Sequence, residues 1–139
     1  MARTSTLMVT GTLLGSAVAL AAAANPSALS QAQPGLWEIS GAPGTSAPVR
    51  QCVADIAALA HFEHRASNCT VKASKATGSS TAIEYSCGGA GFGHSEIDVL
   101  TPRSLRISTQ GISGGLPFNY VLQARRVDDC TKNAAVIHH

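Results

Sequence analysis

The chain has 139 residues, 45% hydrophobic and 13% charged, with a formal net charge of +2. That length suits one domain and one core. So small an excess of positive charge excludes nucleic-acid binding by phosphate neutralisation. The four cysteines mean disulfides in an oxidising compartment and metal or redox chemistry in a reducing one, so the N-terminus has to settle which applies.

Arg3 is the only charged residue before Glu38, and it precedes an apolar, small-residue run from Leu7 to Ala24. The run contains Leu13, Leu14, Val18 and Leu20, ends in four alanines, and is followed by Asn25-Pro26, where a helix must stop. This is the pattern of a secretory signal peptide over residues 1–24, cleaved after Ala24. Thr10, Gly11, Thr12, Gly15 and Ser16 make it a poor span of the roughly 30 Å hydrocarbon layer. No membrane span is therefore expected after cleavage. Removing Arg3 from the ten Lys and Arg leaves nine against eight Asp and Glu, so the mature chain is nearly neutral and is expected in the periplasm or outside the cell.

Residues 25–33 are small, polar and without periodicity, as a short leader is. A single domain is expected over residues 34–130, with a tail at 131–139. Leu36 to Ser40 alternates after a Pro-Gly start and predicts a first strand. Gly41 to Pro48 is a loop rich in Gly, Pro, Ser and Thr, and Val49 to Val53 predicts a second strand. Val53, Ile56, Ala57, Ala60 and His64 then recur at spacings of three and four, which predicts a short helix. Beyond Asn68 the chain is strand-like to Val127, broken at intervals that suggest an antiparallel meander.

Two hairpins can be registered by counting. Folding residues 69–87 about Gly78 places Cys69 opposite Cys87, Val71 opposite Tyr85 and Ala73 opposite Ile83, all on one face. Lys72 meets Glu84, and Thr70 meets Ser86, on the other face. Opposed residues of a non-hydrogen-bonded pair are within disulfide reach, so the expected bridges are Cys69–Cys87 and, for the remaining two cysteines, Cys52–Cys130. The first should contribute on the order of 3 kcal/mol and the second somewhat more. A four-ligand zinc site is disfavoured because no two cysteines form a Cys-x-x-Cys pair. The second hairpin, centred on Pro102, sets Val99 against Leu105, Ile97 against Ile107 and Asp98 against Arg106. A last strand, Phe118 to Val127, buries Phe118, Tyr120, Leu122 and Ala124 on one face. The fold expected is mainly β: a meander, curved sheet or partial barrel of six or seven strands with one short helix.

Little in the chain points to catalysis. His61 and His64 stand three apart with Glu63 between them, a weak metal candidate that lacks a third ligand and the His-Glu-x-x-His order. Solvated histidines suited to a helix C-terminus are the plainer reading. Gly88-Gly89-Ala90-Gly91-Phe92-Gly93 is followed by a strand and not a helix, so it predicts a connection or bulge, not a phosphate loop. Ser95 lies in no Gly-x-Ser-x-Gly pattern, and Ser113, in Gly111-Ile112-Ser113-Gly114-Gly115, leads into the last strand and not into the helix that a nucleophile elbow needs. Arg125-Arg126 before Asp128-Asp129 reads as a solvated strand end. Asn68-Cys69-Thr70 fits a glycosylation pattern that a disulfide at its centre disfavours, and Trp37 reads as a core anchor.

Gln33-Pro34-Gly35-Leu36-Trp37-Glu38 after a signal peptide, the single cysteines, and the closing Arg125-Arg126-Val127-Asp128-Asp129-Cys130 together resemble the bacterial family called domain of unknown function 3617. The resemblance covers residues 33 to 130. At its end the family often has Gly-Asp-Cys, where this chain has Asp128-Asp129-Cys130. It implies an exported protein of Gram-negative bacteria and brings no activity, cofactor or catalytic residue. The expectation is a non-enzymatic binding or envelope-associated module, whose curved sheet encloses a small apolar ligand or whose surface takes an envelope protein. The alternatives are a metal-dependent or hydrolytic enzyme using His61, His64 and His94, and an interaction module pairing through its strand edges.

Overall fold

The computed structural model describes residues 28–131. The signal peptide, its cleavage at Ala24 and nearly all of the tail lie outside the described residues. Seven strands form one antiparallel sheet: β1 (Gly35–Ser40), β2 (Val49–Val53), β3 (Thr70–Thr77), β4 (Ser80–Ser86), β5 (Gly91–Thr101), β6 (Ser104–Ser113) and β7 (Leu116–Asp128). Their order is β2-β1-β7-β6-β5-β4-β3. From β3 to β7 each strand therefore pairs with the next, and the final strand returns to lie beside the first. The sheet curls into a half-barrel.

A 3-10 helix, Ile56–His64, packs into the hollow against β2, β4, β5 and β6. Its first turn is capped by Asp55, whose side chain accepts from the Ala57 N–H at 3.0 Å, satisfying a donor that a helix start leaves free. The segment is wound more tightly than an α-helix and is broken at His61 (φ −105°, ψ 35°). The break falls where the Ala60 carbonyl turns to the sheet and accepts from Ser95 Oγ at 2.5 Å. Periodicity gives the buried face of this segment and not its tighter winding.

Every strand except β3 sends described side chains into the core. Trp37 and Ile39 come from β1, Val53 from β2, Ile83 from β4, Ile97 and Val99 from β5, Leu105 and Ile107 from β6, Leu122 and Ala124 from β7. Ile56, Leu59, Ala60 and Phe62 fill the hollow from the helix side. Trp37 is fully buried and its indole N–H donates to the Gln33 carbonyl at 3.1 Å, the arrangement a buried indole needs. The described part of the expected leader also belongs to the fold. Ala28–Gln31 forms a 3-10 turn, Ala28 and Ala32 are buried, and the Gln33 N–H donates to the Pro102 carbonyl at 2.9 Å.

Cys69 is bonded to Cys87 (Cα–Cα 4.1 Å) and Cys52 to Cys130 (Cα–Cα 5.6 Å), the pairing that the hairpin register requires. The counted partners hold from Thr70–Ser86 to Ala73–Ile83, and from Gly91–Ser113 to Val99–Leu105. Nearer each turn the register slips by one, so that Lys75 faces Ala82 and Thr101 faces Ser104. A turn of two residues, Gly78-Ser79 or Pro102-Arg103, cannot close a hairpin counted about a single central residue. One extra residue, at position 74 in β3 and 100 in β5, reconciles turn with ladder as a β-bulge. Gly78 takes φ +59°, which glycine adopts without strain.

Candidate functional site

His61, His64 and His94 do not share one face of the sheet. His61 and His64 are both buried, not solvated as the helix-end reading has it. His94 alternates with inward-facing Gly93 and Ser95, so it stands on the outer face of the sheet. The three histidines are not brought together, and no group of three potential metal ligands occurs among the described residues.

His64 is instead a bonded core histidine. Its Nε2 lies 3.2 Å from the Ala90 carbonyl and its Nδ1 lies 3.3 Å from the Tyr85 hydroxyl. A carbonyl can only accept, so in the neutral ring Nε2 carries the proton and Nδ1 accepts from Tyr85. Burial pushes the Tyr85 hydroxyl above its ordinary pKa, which a hydrogen bond from Thr109 partly opposes. Thr109 lies 2.8 Å from Ser95 Oγ, which donates to the helix at Ala60. Beside this chain the Tyr120 hydroxyl donates to Glu63 at 2.7 Å. Its pKa rises steeply, through burial first and then through that carboxylate. These polar contacts tie helix to sheet.

Two glycines make the network possible. Gly93 and Gly111 face each other across β5 and β6, between Tyr85 on β4 and Phe118 on β7. A Cβ on Gly93 would come 2.6 Å from Tyr85 Cζ, and one on Gly111 would come 2.6 Å from the Gly93 Cα. With no side chain there, the Tyr85 ring lies over the sheet and its hydroxyl reaches His64. Ring contacts of 5.5 Å to His64, and of 5.8 Å between His64 and Phe118, complete the packing.

The outer face of the same row is bare backbone. On one side of it stand Glu84, His94, Gln110 and Asn119, directly opposed from strand to strand, and on the other Phe92, Ile112 and Pro117. Together these residues line an open groove of about 780 Å³ across the strands. One wall is polar on four strands and the other is apolar. Phe92 is 57% exposed, a large apolar ring left in water at a built concavity. Adjacent strands lie about 4.8 Å apart and residues two apart along a strand about 6.7 Å, so the groove is about 14 Å long and one ring wide. Counting residues as strands did not reveal it, because the groove exists only across strands. The available signal was the coincidence of Gly93 and Gly111 in the counted register of β5 and β6.

The far end of the outer face is a charge ladder. Glu38 accepts from Arg50 at 2.7 Å and from Arg125 at 3.1 Å, and these two guanidiniums hold its carboxyl below the usual range. Asp98 pairs with Arg106 at 3.6 Å, as counted. Arg126 stands on the other face, opposite Trp37, where its side chain is only 10% exposed, donates to the Pro34 carbonyl at 2.8 Å and pairs with Asp129. These pairs are structural.

A family model described as a protein of unknown function (DUF3617) matches residues 32–130. The chain belongs to that family. Comparison with curated proteins and with solved structures finds no match.

Proposed function

We propose that the protein is an exported, non-enzymatic binding module of the cell envelope, and that its binding surface is the outer groove floored by Gly93 and Gly111. Export is supported by the signal-like residues 1–24 and by the absence of free cysteines among the described residues, both bridges being formed. No helix among the described residues is long and apolar enough to cross a membrane. Binding is supported by the groove itself: a concave, two-sided surface with an exposed aromatic ring in one wall and polar side chains in the other. The hollow of the half-barrel is filled by Leu59, Ala60 and Phe62, so a ligand enclosed within the sheet has no room among the described residues. The polar groups that converge beneath the helix are paired with one another and buried, which argues against catalysis there.

The test is an amide NMR spectrum of the disulfide-bonded protein, recorded with and without a low-molecular-weight extract of the bacterial envelope. Shifts confined to residues 92–94, 110–112 and 118–119 are expected. Shifts elsewhere, or none, overturn the groove as the binding surface. Cell fractionation with intact-mass measurement is expected to find the chain in the periplasm, beginning near Asn25, and a cytoplasmic chain that retains residues 1–24 overturns export.

A further inference from the structure

We infer that the groove takes a neutral, extended saccharide chain, an assignment that rests on the groove being the binding surface. The hydrogen-bonding inventory of the two walls carries it. Gln110 and Asn119 each present both an acceptor and two donors, Glu84 presents acceptors, and the ring nitrogens of His94 extend the row. A ligand that satisfies such a row must itself donate and accept at short intervals along one edge, as the hydroxyl groups of a sugar ring do. The facing wall asks for the opposite chemistry. Phe92, Ile112 and Pro117 offer apolar surface and an aromatic face, against which the C–H face of a pyranose packs.

Other ligand classes fit worse, each for a stated reason. An alkyl chain would bury the four polar side chains without partners, at a cost for each unpaired group. An anion would meet Glu84, the only formally charged residue in the lining, and no Arg or Lys. An added peptide strand draws its affinity from unpaired backbone groups. The groove floor has none to give, because Gly93 and Gly111 are already paired in the ladder on both sides. Length and width agree with a chain of sugar rings lying across the strands, about 14 Å of groove being longer than a single ring needs. Hydrolysis of such a chain is not expected, since glycosidases use a pair of carboxyl groups and the lining holds one.

The experiment is an amide NMR titration of the intact, disulfide-bonded protein with cellotetraose and with chitotetraose to millimolar concentration, and separately with dodecylphosphocholine. One of the two saccharides is expected to shift the amides of residues 92–94, 110–112 and 118–119. Phe92→Ala and Gln110→Ala, both at exposed positions that leave the core untouched, are each expected to weaken that binding about tenfold. If neither saccharide shifts the groove while dodecylphosphocholine or the envelope extract does, the saccharide assignment falls and the groove stands. If saccharides, detergent and extract all leave the groove unmoved, both fall. Saccharide shifts that persist undiminished in both variants place the sugar elsewhere and overturn the inference.

Discussion

The hairpins β3–β4 and β5–β6 are built alike and held differently. Each has a two-residue turn, one bulge beside it and a ladder running back at the counted register. In β5–β6 both strands bury apolar side chains against the helix, Ile97 and Val99 from one and Leu105 and Ile107 from the other. Among the described side chains of β3–β4 only those of β4 do so. Val71 on β3 is 38% exposed, although it faces the same way as the buried Tyr85. Instead, Cys69–Cys87 pins the open end of that hairpin. A covalent link thus stands where burial is lacking at the edge of the sheet, and the edge strand carries Lys72 and Lys75, residues that discourage pairing with another chain.

The largest contrast should come from matched truncations. Ile107→Ala removes a fully buried side chain and is expected to cost about 3 to 4 kcal/mol in urea unfolding, against less than about 0.5 kcal/mol for Val71→Ala. Equal losses would show that β3 is packed as tightly as β6. Replacing Cys69 and Cys87 together by serine is expected to cost about 3 kcal/mol, with proteolysis beginning in residues 70–77. Unchanged protection of β3 in the double variant would mean that the ladder alone holds it. The smallest effect is at high pH, through Tyr85, the residue that fastens β4 to the helix. Its hydroxyl keeps its proton more tightly in the folded protein than in the unfolded chain. Its contribution is therefore complete below pH about 10 and is lost as pH rises beyond that, toward the folded value. Urea midpoints measured above and below that pH should fall less in Tyr85→Phe, with a remainder due to Tyr120, whose pKa is also raised.

These differences also mark how far the sequence could be read. Period-two alternation and opposed cysteines were enough for the register of both hairpins and both bridges, because one slipped residue would have moved every apolar side chain to the wrong face. The bulges at positions 74 and 100 were not legible, since they depend on how many residues each turn uses. Nor was the break at His61, which lies beside a carbonyl bonded to Ser95 from a distant strand. His64 was misread as solvated because its partners, Tyr85 and Ala90, are distant in the chain. The candidate site was least legible. Glu84, Phe92, His94, Gln110, Ile112, Pro117 and Asn119 come from four strands, and no local pattern unites them.

The two bridges are nested, Cys69–Cys87 lying wholly inside the interval from Cys52 to Cys130. Closing the 18-residue separation of the inner pair costs less chain entropy than closing the 78-residue separation of the outer one. The β3–β4 register, which sets Cys69 opposite Cys87, therefore selects the inner pair by local geometry. With that pair bonded, Cys52 and Cys130 are the two cysteines of the four that remain, and the outer bridge has no wrong partner.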